Sequence, residues 1–155
     1  MIWLKRGIFI ILSFLLLVFS SCSESKPNAI EKLEIKENSK KELIRSFFAH
    51  LQNWNNQSYT LIDSIGQQIS QMDSTLRFLP FNNSYEKNTF IFTSPNIHSL
   101  AVFEESEFLA QSQPIVHSFY KIWRKKINGL QLLDLSIEPH PTLEWIFAIR
   151  LRSQE

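Results

Sequence analysis

Two stretches in the first half of the chain carry apolar residues at helical spacing. The serine and glutamate of Ser39 to Glu42 have the spacing of a capping box, so the sequence predicts that a helix begins there, while the mixed-charge residues 30–38 either belong to a tether or begin a helix. Thr60 is the predicted N-cap of a second helix. The pair predicts a helical hairpin whose apolar faces belong to the core. Those faces are Leu43, Ile44, Phe47, Phe48, Leu51 and Trp54, then Ile62, Ile65, Ile69, Met72 and Leu76.

The end of the chain alternates between apolar and polar residues, as strands with one buried face do. Leu133, Leu135 and Ile137 alternate with polar residues, and the same period of two runs through 143–152. The Pro-rich segment 139–141 between them predicts an antiparallel pair joined by a rigid loop.

The middle of the chain predicts further short elements. Residues 89–93 form a good strand after a loop at 80–88, and residues 97–103 are predicted to pair back as a second strand. The acidic run 104–107 is predicted to open a short helical turn.

Residues 114–128 fit either a helix or a long strand, and we favour the helix. Pro114 suits a first helical turn and Asn128-Gly129 suits the end of a helix. The β-branched and aromatic residues in between are equally compatible with a long strand. In a helix, Lys121, Arg124 and Lys125 share one face. That basic patch suits anionic lipid headgroups or a polyanionic envelope component, although a solvated helix face is the simpler interpretation.

Residues 1–22 have the layout of a secretory signal peptide. Lys5 and Arg6 precede an apolar run from Ile8 to Phe19, which is followed by Ser20, Ser21 and Cys22. The run has 12 residues, fewer than the roughly 17–25 that span a bilayer as a helix. An uncleaved signal anchor, which would make a single-pass protein, is the alternative interpretation.

The segment Phe19-Ser20-Ser21-Cys22 resembles the lipobox of bacterial lipoprotein precursors. Two small residues and the cysteine match the family pattern, and Phe19 stands where an aliphatic residue is usual. The resemblance implies cleavage between Ser21 and Cys22, a diacylglycerol on the Cys22 sulfur, and anchorage to a membrane facing the periplasm or exterior. Ser23 at the following position favours the outer membrane if the host has one.

The chain is therefore predicted to have three parts: a signal peptide over residues 1–21, the lipidated cysteine and a tether over 22–38, and one domain over 39–155. The domain is predicted to have an α+β fold. The domain is expected to hold an N-terminal amphipathic helical hairpin, then a small antiparallel sheet with one further helix. Ten of the thirteen Phe and three of the four Trp lie in this domain and supply enough apolar area for one core. After cleavage, 14 basic and 15 acidic side chains remain, which argues against nucleic acid as a partner.

No motif for catalysis, a metal or a cofactor stands out. The four histidines, at 50, 98, 117 and 140, lack metal-site spacing, and three scattered glycines form no phosphate loop. Cys22 is the only cysteine, so acylation leaves no thiol nucleophile. We therefore expect no cofactor and no metal, and an enzymatic role is disfavoured.

Two kinds of function remain for the domain. The first is a non-enzymatic binding or assembly module with an envelope protein as partner. The second is a small-ligand-binding or enzymatic domain, because the order of elements loosely resembles the nuclear-transport-factor-2-like superfamily. A deep aromatic-lined pocket between helices and sheet favours the second, and a filled core opposes it.

Overall fold

A computed structural model describes residues 29–55 and 58–153 of the chain. The leader, Ser21, Cys22, Ser23 and the first part of the predicted tether lie outside the described residues. Among the described residues, the buried hydrophobic side chains lie within the compact unit Glu34–Glu155.

Helix α1 spans Ala29–Gln52, so the predicted start at Ser39 is wrong. Ser39 lies inside the helix, and its hydroxyl donates to the carbonyl of Ile35 at 2.9 Å instead of capping an amide. The residues before it are good helix formers, and Lys40 pairs with Glu37 one turn earlier at 3.3 Å. The predicted boundary between tether and domain therefore falls within a helix.

Helix α2 spans Tyr59–Met72, and Ser58 rather than Thr60 holds its N-cap position. The Ser58 carbonyl already accepts the first helical bond, from the amide of Ile62 at 3.1 Å. The predicted apolar stripe is confirmed where Ile62, Ile65 and Ile69 are buried. Lys40 of α1 pairs with Asp73, the residue after α2, at 3.2 Å.

Six strands follow along the chain: β1 (Arg77–Leu79), β2 (Thr89–Ser94), β3 (Ile115–His117), β4 (Tyr120–Asn128), β5 (Gln131–His140) and β6 (Glu144–Ser153). They form one antiparallel sheet in the order β1-β2-β6-β5-β4-β3, and this arrangement of helices and sheet confirms the α+β class. Strands β5 and β6 are antiparallel neighbours, as predicted. The loop predicted over residues 139–141 is wrong, because Pro139 and His140 still pair with β6 and the turn lies at 141–143.

The helix favoured over residues 114–128 is wrong, because β3 and β4 form a hairpin there. The spacing of Trp123 and Ile127 does not distinguish the two structures. Residues four positions apart share a face in a helix and also lie on the same side of a strand. Lys121 and Lys125 lie on that same side, at the margin of the core, so charges interrupt the apolar alternation. Their amines find polar partners there, since Lys121 donates to Glu104 and Lys125 to the carbonyl of Phe108.

The strand predicted over residues 97–103 is also wrong. A 3₁₀ helix at Ile97–Leu100 runs into α3 (Ala101–Glu104), and α4 (Glu107–Ala110) follows, the last agreeing with the predicted helical turn. The Asn96 side chain accepts the His98 amide at 2.9 Å and starts the 3₁₀ turn. Leu100 and Phe103 are both fully buried, and their separation of three positions is a helical spacing.

Aromatic rings fill the space between the helices and the inner face of the sheet. Phe47 of α1 makes edge contacts with Phe78, Phe90 and Phe92 at centroid distances of 5.5–6.2 Å. Phe103 of α3 stacks on Phe147 of β6 at 4.6 Å. The core is therefore packed ring against ring.

The central strands are buried on both faces, whereas the alternation predicted one buried face. On the outer face Ile91, Ile146 and Ala148 are at most 1% exposed. Beside them lie charged side chains that pair with one another, with Arg150 bonded to Glu86 and Glu138. Pairing allows charged groups to lie within a half-buried face.

Candidate binding site

The hairpin formed by β3 and β4 exposes an unusual amount of apolar surface. Ile115, Val116 and Phe119 are 63%, 65% and 73% exposed. Residues 118 and 119 form the turn, and the rings of His117 and Tyr120 pack together beside it at 4.8 Å. Strand β3 is the last strand of the sheet, so these side chains stand at an open edge. Apolar groups clustered at an edge mark a candidate interaction surface.

A cleft of about 420 Å³ opens between this hairpin and the segment 97–104, and we call it the hairpin cleft. It is larger than the three other clefts described, of about 250, 320 and 300 Å³, and apolar side chains contribute most of its lining. Ile137 and Trp145 line it from β5 and β6. A concave, mostly apolar site with a few polar groups is the usual form of a ligand or peptide pocket.

Strand pairing brings Trp145 to the cleft. Trp145 lies directly opposite Ser94, the last residue of β2, and the 3₁₀ helix begins three residues after Ser94. The Ser94 hydroxyl accepts the Asn96 amide at 3.2 Å, which orients the chain toward His98. One wall of the cleft is thereby fixed to the end of the central sheet.

An ion pair holds the other wall in place. Lys121 of β4 donates to both carboxylate oxygens of Glu104 in α3, at 2.9 and 3.0 Å. Both residues line the cleft and are partly buried. The pair joins the hairpin to the helical segment and leaves the cleft itself near neutral.

The three residues of the predicted basic patch lie apart. Lys121 pairs with Glu104, and Lys125 donates to the Phe108 carbonyl at 2.9 Å with its amine 3.9 Å from the centre of the Phe108 ring. Burial lowers the pKa of the Lys125 amine. Arg124 lies on the opposite face, where its hydrogen bond to Asp134 raises the guanidinium pKa. The shared helical face does not exist, although all three cations remain on one strand.

Two of the four histidines meet at the cleft and two do not. His98 and His117 line it from opposite walls. His140 packs against Tyr85 at 5.7 Å, and His50 is half-buried on α1. Among the described residues, neither His98 nor His117 is hydrogen-bonded to the Ser118 hydroxyl, and no three metal-ligating side chains meet in residues 29–55 and 58–153.

Comparisons with protein-family models, with curated proteins and with solved structures give no match to this chain. In the part of the chain that the structure describes, no helix is long and apolar enough to cross a membrane.

The sequence patterns did not indicate that His98, His117, Phe119 and Trp145 belong to one site. The available signal was the β-branched and aromatic residues on both sides of Ser118-Phe119, because such runs on either side of a two-residue turn are typical of a hairpin. A helix over residues 114–128 would have no free strand edge, so the helix prediction excluded the exposed edge of β3.

Proposed function

We propose that this chain is an envelope lipoprotein, anchored by lipid on Cys22, whose domain is a non-enzymatic module that binds a protein partner at the hairpin cleft. The leader motif Phe19-Ser20-Ser21-Cys22 supports the anchor. The observation that carries the binding role is the open apolar cleft at a sheet edge, flanked by the exposed Val116 and Phe119.

The composition of the cleft fits a protein interface. Aromatic side chains at the centre of an interface contribute most of its binding energy, and Trp145, Phe119 and Tyr120 are grouped here. A polar rim of His98, Glu104 and Lys121 can supply orientation.

The second candidate, a small-ligand-binding or enzymatic domain similar to the nuclear-transport-factor-2-like superfamily, requires a deep pocket between the helices and the sheet. In the described residues that space holds packed phenylalanine rings, with Phe48 in contact with both Phe103 and Phe147. We therefore place binding at the hairpin instead of in the centre of the domain.

The anchor is tested by the intact mass of the protein extracted from membranes, beside a Cys22→Ala variant. We expect the mass of residues 22–155 plus acyl chains, with this product lost in the variant. An unmodified full-length mass would identify a signal anchor and contradict the lipoprotein proposal.

The binding role is tested by photo-crosslinking in intact cells. A photoreactive amino acid replaces Phe119 in one variant and Leu130 in a matched control, because both side chains are 73% exposed and Leu130 lies in the turn between β4 and β5. We expect a discrete protein adduct from position 119 that is absent from position 130. Identical adduct patterns at the two positions would reject the cleft as the binding site.

A further inference from the structure

We infer that the edge strand β3 accepts an extended acidic segment of the partner protein, and that one large apolar side chain of that segment enters the hairpin cleft. This inference rests on the proposed binding function and names the chemistry of the partner. Three observations support it: the open edge, the register of Val116, and the charge around β4.

The open edge provides the backbone contacts. Within the described residues, strand β3 pairs only with residues 120–122 of β4, and it ends the sheet. All three of its residues are exposed, so its outer side is accessible to another strand. Main-chain hydrogen bonds to such an edge are the basis of binding by strand addition.

The register directs a side chain into the cleft. Val116 lies opposite Lys121, and Lys121 lies opposite Ile137, so the three share one face of the sheet. That face also carries the cleft, which both Val116 and Ile137 line. A residue added opposite Val116 therefore stands over the cleft, because directly paired residues point to the same side. Trp145 and Phe119 offer this side chain an apolar environment.

The charge around β4 favours an acidic partner. The hairpin of residues 115–128 carries four basic side chains and no carboxylate, and among the described residues only Glu104 and Asp134 form ion pairs with it. Lys126 is exposed with no acidic partner among the described residues. Two positive charges of the hairpin therefore remain in excess over these carboxylates, one on the cleft face and one on the outer face, which favours an acidic segment whose alternate side chains point to both faces. The basic residues are Lys121 and Lys125 on the cleft face and Arg124 and Lys126 on the outer face.

A protein segment fits this surface better than a lipid bilayer. The cleft lining includes the Glu104–Lys121 ion pair and both His98 and His117. Insertion of the hairpin into hydrocarbon would bring these groups out of water at a high cost. A peptide strand leaves them at the rim and covers only the apolar surface.

The test uses the full-length protein purified from membranes in detergent and the labelled heptapeptide Glu-Asp-Val-Trp-Val-Asp-Glu. We expect saturable binding by fluorescence anisotropy, with slower hydrogen exchange at residues 115–117. A peptide with N-methyl groups on alternate amides is expected to bind at least about tenfold more weakly, because it cannot pair as a strand. A peptide with lysines in place of its acidic residues is expected to lose similar affinity.

Two protein variants supply the matched comparison. Val116→Glu puts a negative charge on the docking face and is expected to weaken peptide binding at least about tenfold. Leu130→Glu adds the same charge at an equally open site in the other turn and is expected to leave binding unchanged. Both residues are exposed, so neither substitution disturbs the core.

Three results would overturn the inference: no binding of the peptide, equal binding by its N-methylated form, or equal weakening by both protein variants. Attachment to phosphatidylglycerol vesicles without peptide binding would identify a membrane contact instead. A dimer that Val116→Glu dissociates would identify a second copy of the chain. A crosslink retained at position 119 without peptide binding rejects only the extended segment, whereas loss of both rejects the binding module as well.

Discussion

Lys121 and Glu104 form a two-oxygen ion pair across 17 positions of sequence, with the lysine amine 2.9 and 3.0 Å from the two carboxylate oxygens. Lys121 belongs to the hairpin and Glu104 to α3, so the pair closes one side of the hairpin cleft. Their side chains remain 41% and 31% exposed. The contact is therefore expected to matter for the position of the hairpin more than for the stability of the whole domain.

Glu104→Gln should destabilise the domain only slightly while loosening the hairpin. We expect a loss of no more than about 1 kcal/mol in the free energy of unfolding, because partly exposed ion pairs contribute little. Hydrogen exchange at residues 115–117 should accelerate measurably, since β4 is the single neighbour of β3 among the strands that the structure describes. The control is Glu105→Gln, which changes an exposed neighbour, and equal acceleration in both variants would contradict the role given to the pair.

Gly66→Ala should destabilise the protein, although alanine favours helices. A Cβ placed on Gly66 of α2 would lie 2.5 Å from two carbons of the Phe78 ring. Overpacking of this kind typically costs about 1–3 kcal/mol, against a gain of about 1 kcal/mol from helix propensity. Chemical denaturation measures the net effect, which we expect to be a loss of stability.

Gly129→Ala is the matched control for this prediction. Nothing lies within 4 Å of a Cβ at Gly129, so we expect a change in the free energy of unfolding of less than about 0.5 kcal/mol. If Gly66→Ala proved as neutral as Gly129→Ala, the close packing of α2 on β1 would be refuted.

Strands β5 and β6 were predictable because each carries apolar residues at every second position on the side facing the helices. Leu133, Leu135 and Ile149 are fully buried there. What the alternation could not reveal is burial on the outer face, where Asp134 and Ser136 are also buried. Polar side chains can lie inside when other groups pair with them, and here the charged partners include Arg124 of β4 and Arg150 of β6, whose places beside β5 depend on the strand order.

Strand β4 could not be predicted because its core-facing positions include two lysines. Lys121 and Lys125 lie at the sheet margin, where their amines reach Glu104 and the Phe108 carbonyl. These partners belong to α3 and α4, and their proximity depends on the strand order. From the sequence alone, the spacing of Lys121 and Lys125 fits the polar face of an amphipathic helix.

The hairpin cleft is even less predictable from the sequence than strand β4. Its walls come from residues 97–104 and 116–121, and its remaining lining from Ile137 and Trp145. Trp145 reaches it because β6 inserts between β2 and β5 instead of lying at the edge. Strand order of this kind depends on packing of the whole sheet, so no local pattern encodes it.

Two aspartates should respond to pH in opposite directions. Burial raises the pKa of Asp63 above its ordinary value of 3.8, despite the Phe81 amide that donates to it. At Asp73 burial also acts to raise the pKa, but hydrogen bonds from Thr75 and Lys40 outweigh it and lower the pKa below 3.8. Ionisation of Asp63 thus opposes folding at neutral pH, whereas ionisation of Asp73 supports folding and that support is lost as the pH falls below 3.8.

Asp63→Asn and Asp73→Asn should therefore shift stability at neutral pH with opposite signs. Asp63→Asn keeps the oxygen that accepts the Phe81 amide at 3.0 Å and removes the disfavoured charge, so we expect higher stability. Asp73→Asn loses the ion pair with Lys40 and should be less stable. Denaturation at neutral pH and in acid is the measurement, and both differences should shrink in acid. A common sign at neutral pH would refute the assignment.

Arg150→Met should be the most damaging of the charge substitutions considered. The Arg150 side chain is 21% exposed, and it donates to Glu86 at 3.0 Å, to Ser136 at 2.6 Å and to Glu138. Its removal leaves two carboxylates on a half-buried face without their cation. We expect a loss on the order of 2 kcal/mol in the free energy of unfolding, below the cost for a fully buried pair because water reaches these groups.

Arg152→Met provides the comparison on the same strand and the same face. Arg152 is 60% exposed and shares Asp134 with Arg124, so its loss leaves that carboxylate paired. We expect a change of less than about 1 kcal/mol by urea denaturation. Equal losses for the two variants would mean that the network around Arg150 adds nothing beyond a surface ion pair. A larger loss for Arg150→Met would show that the outer face depends on this one guanidinium to hold the loop at Glu86 against β5 and β6.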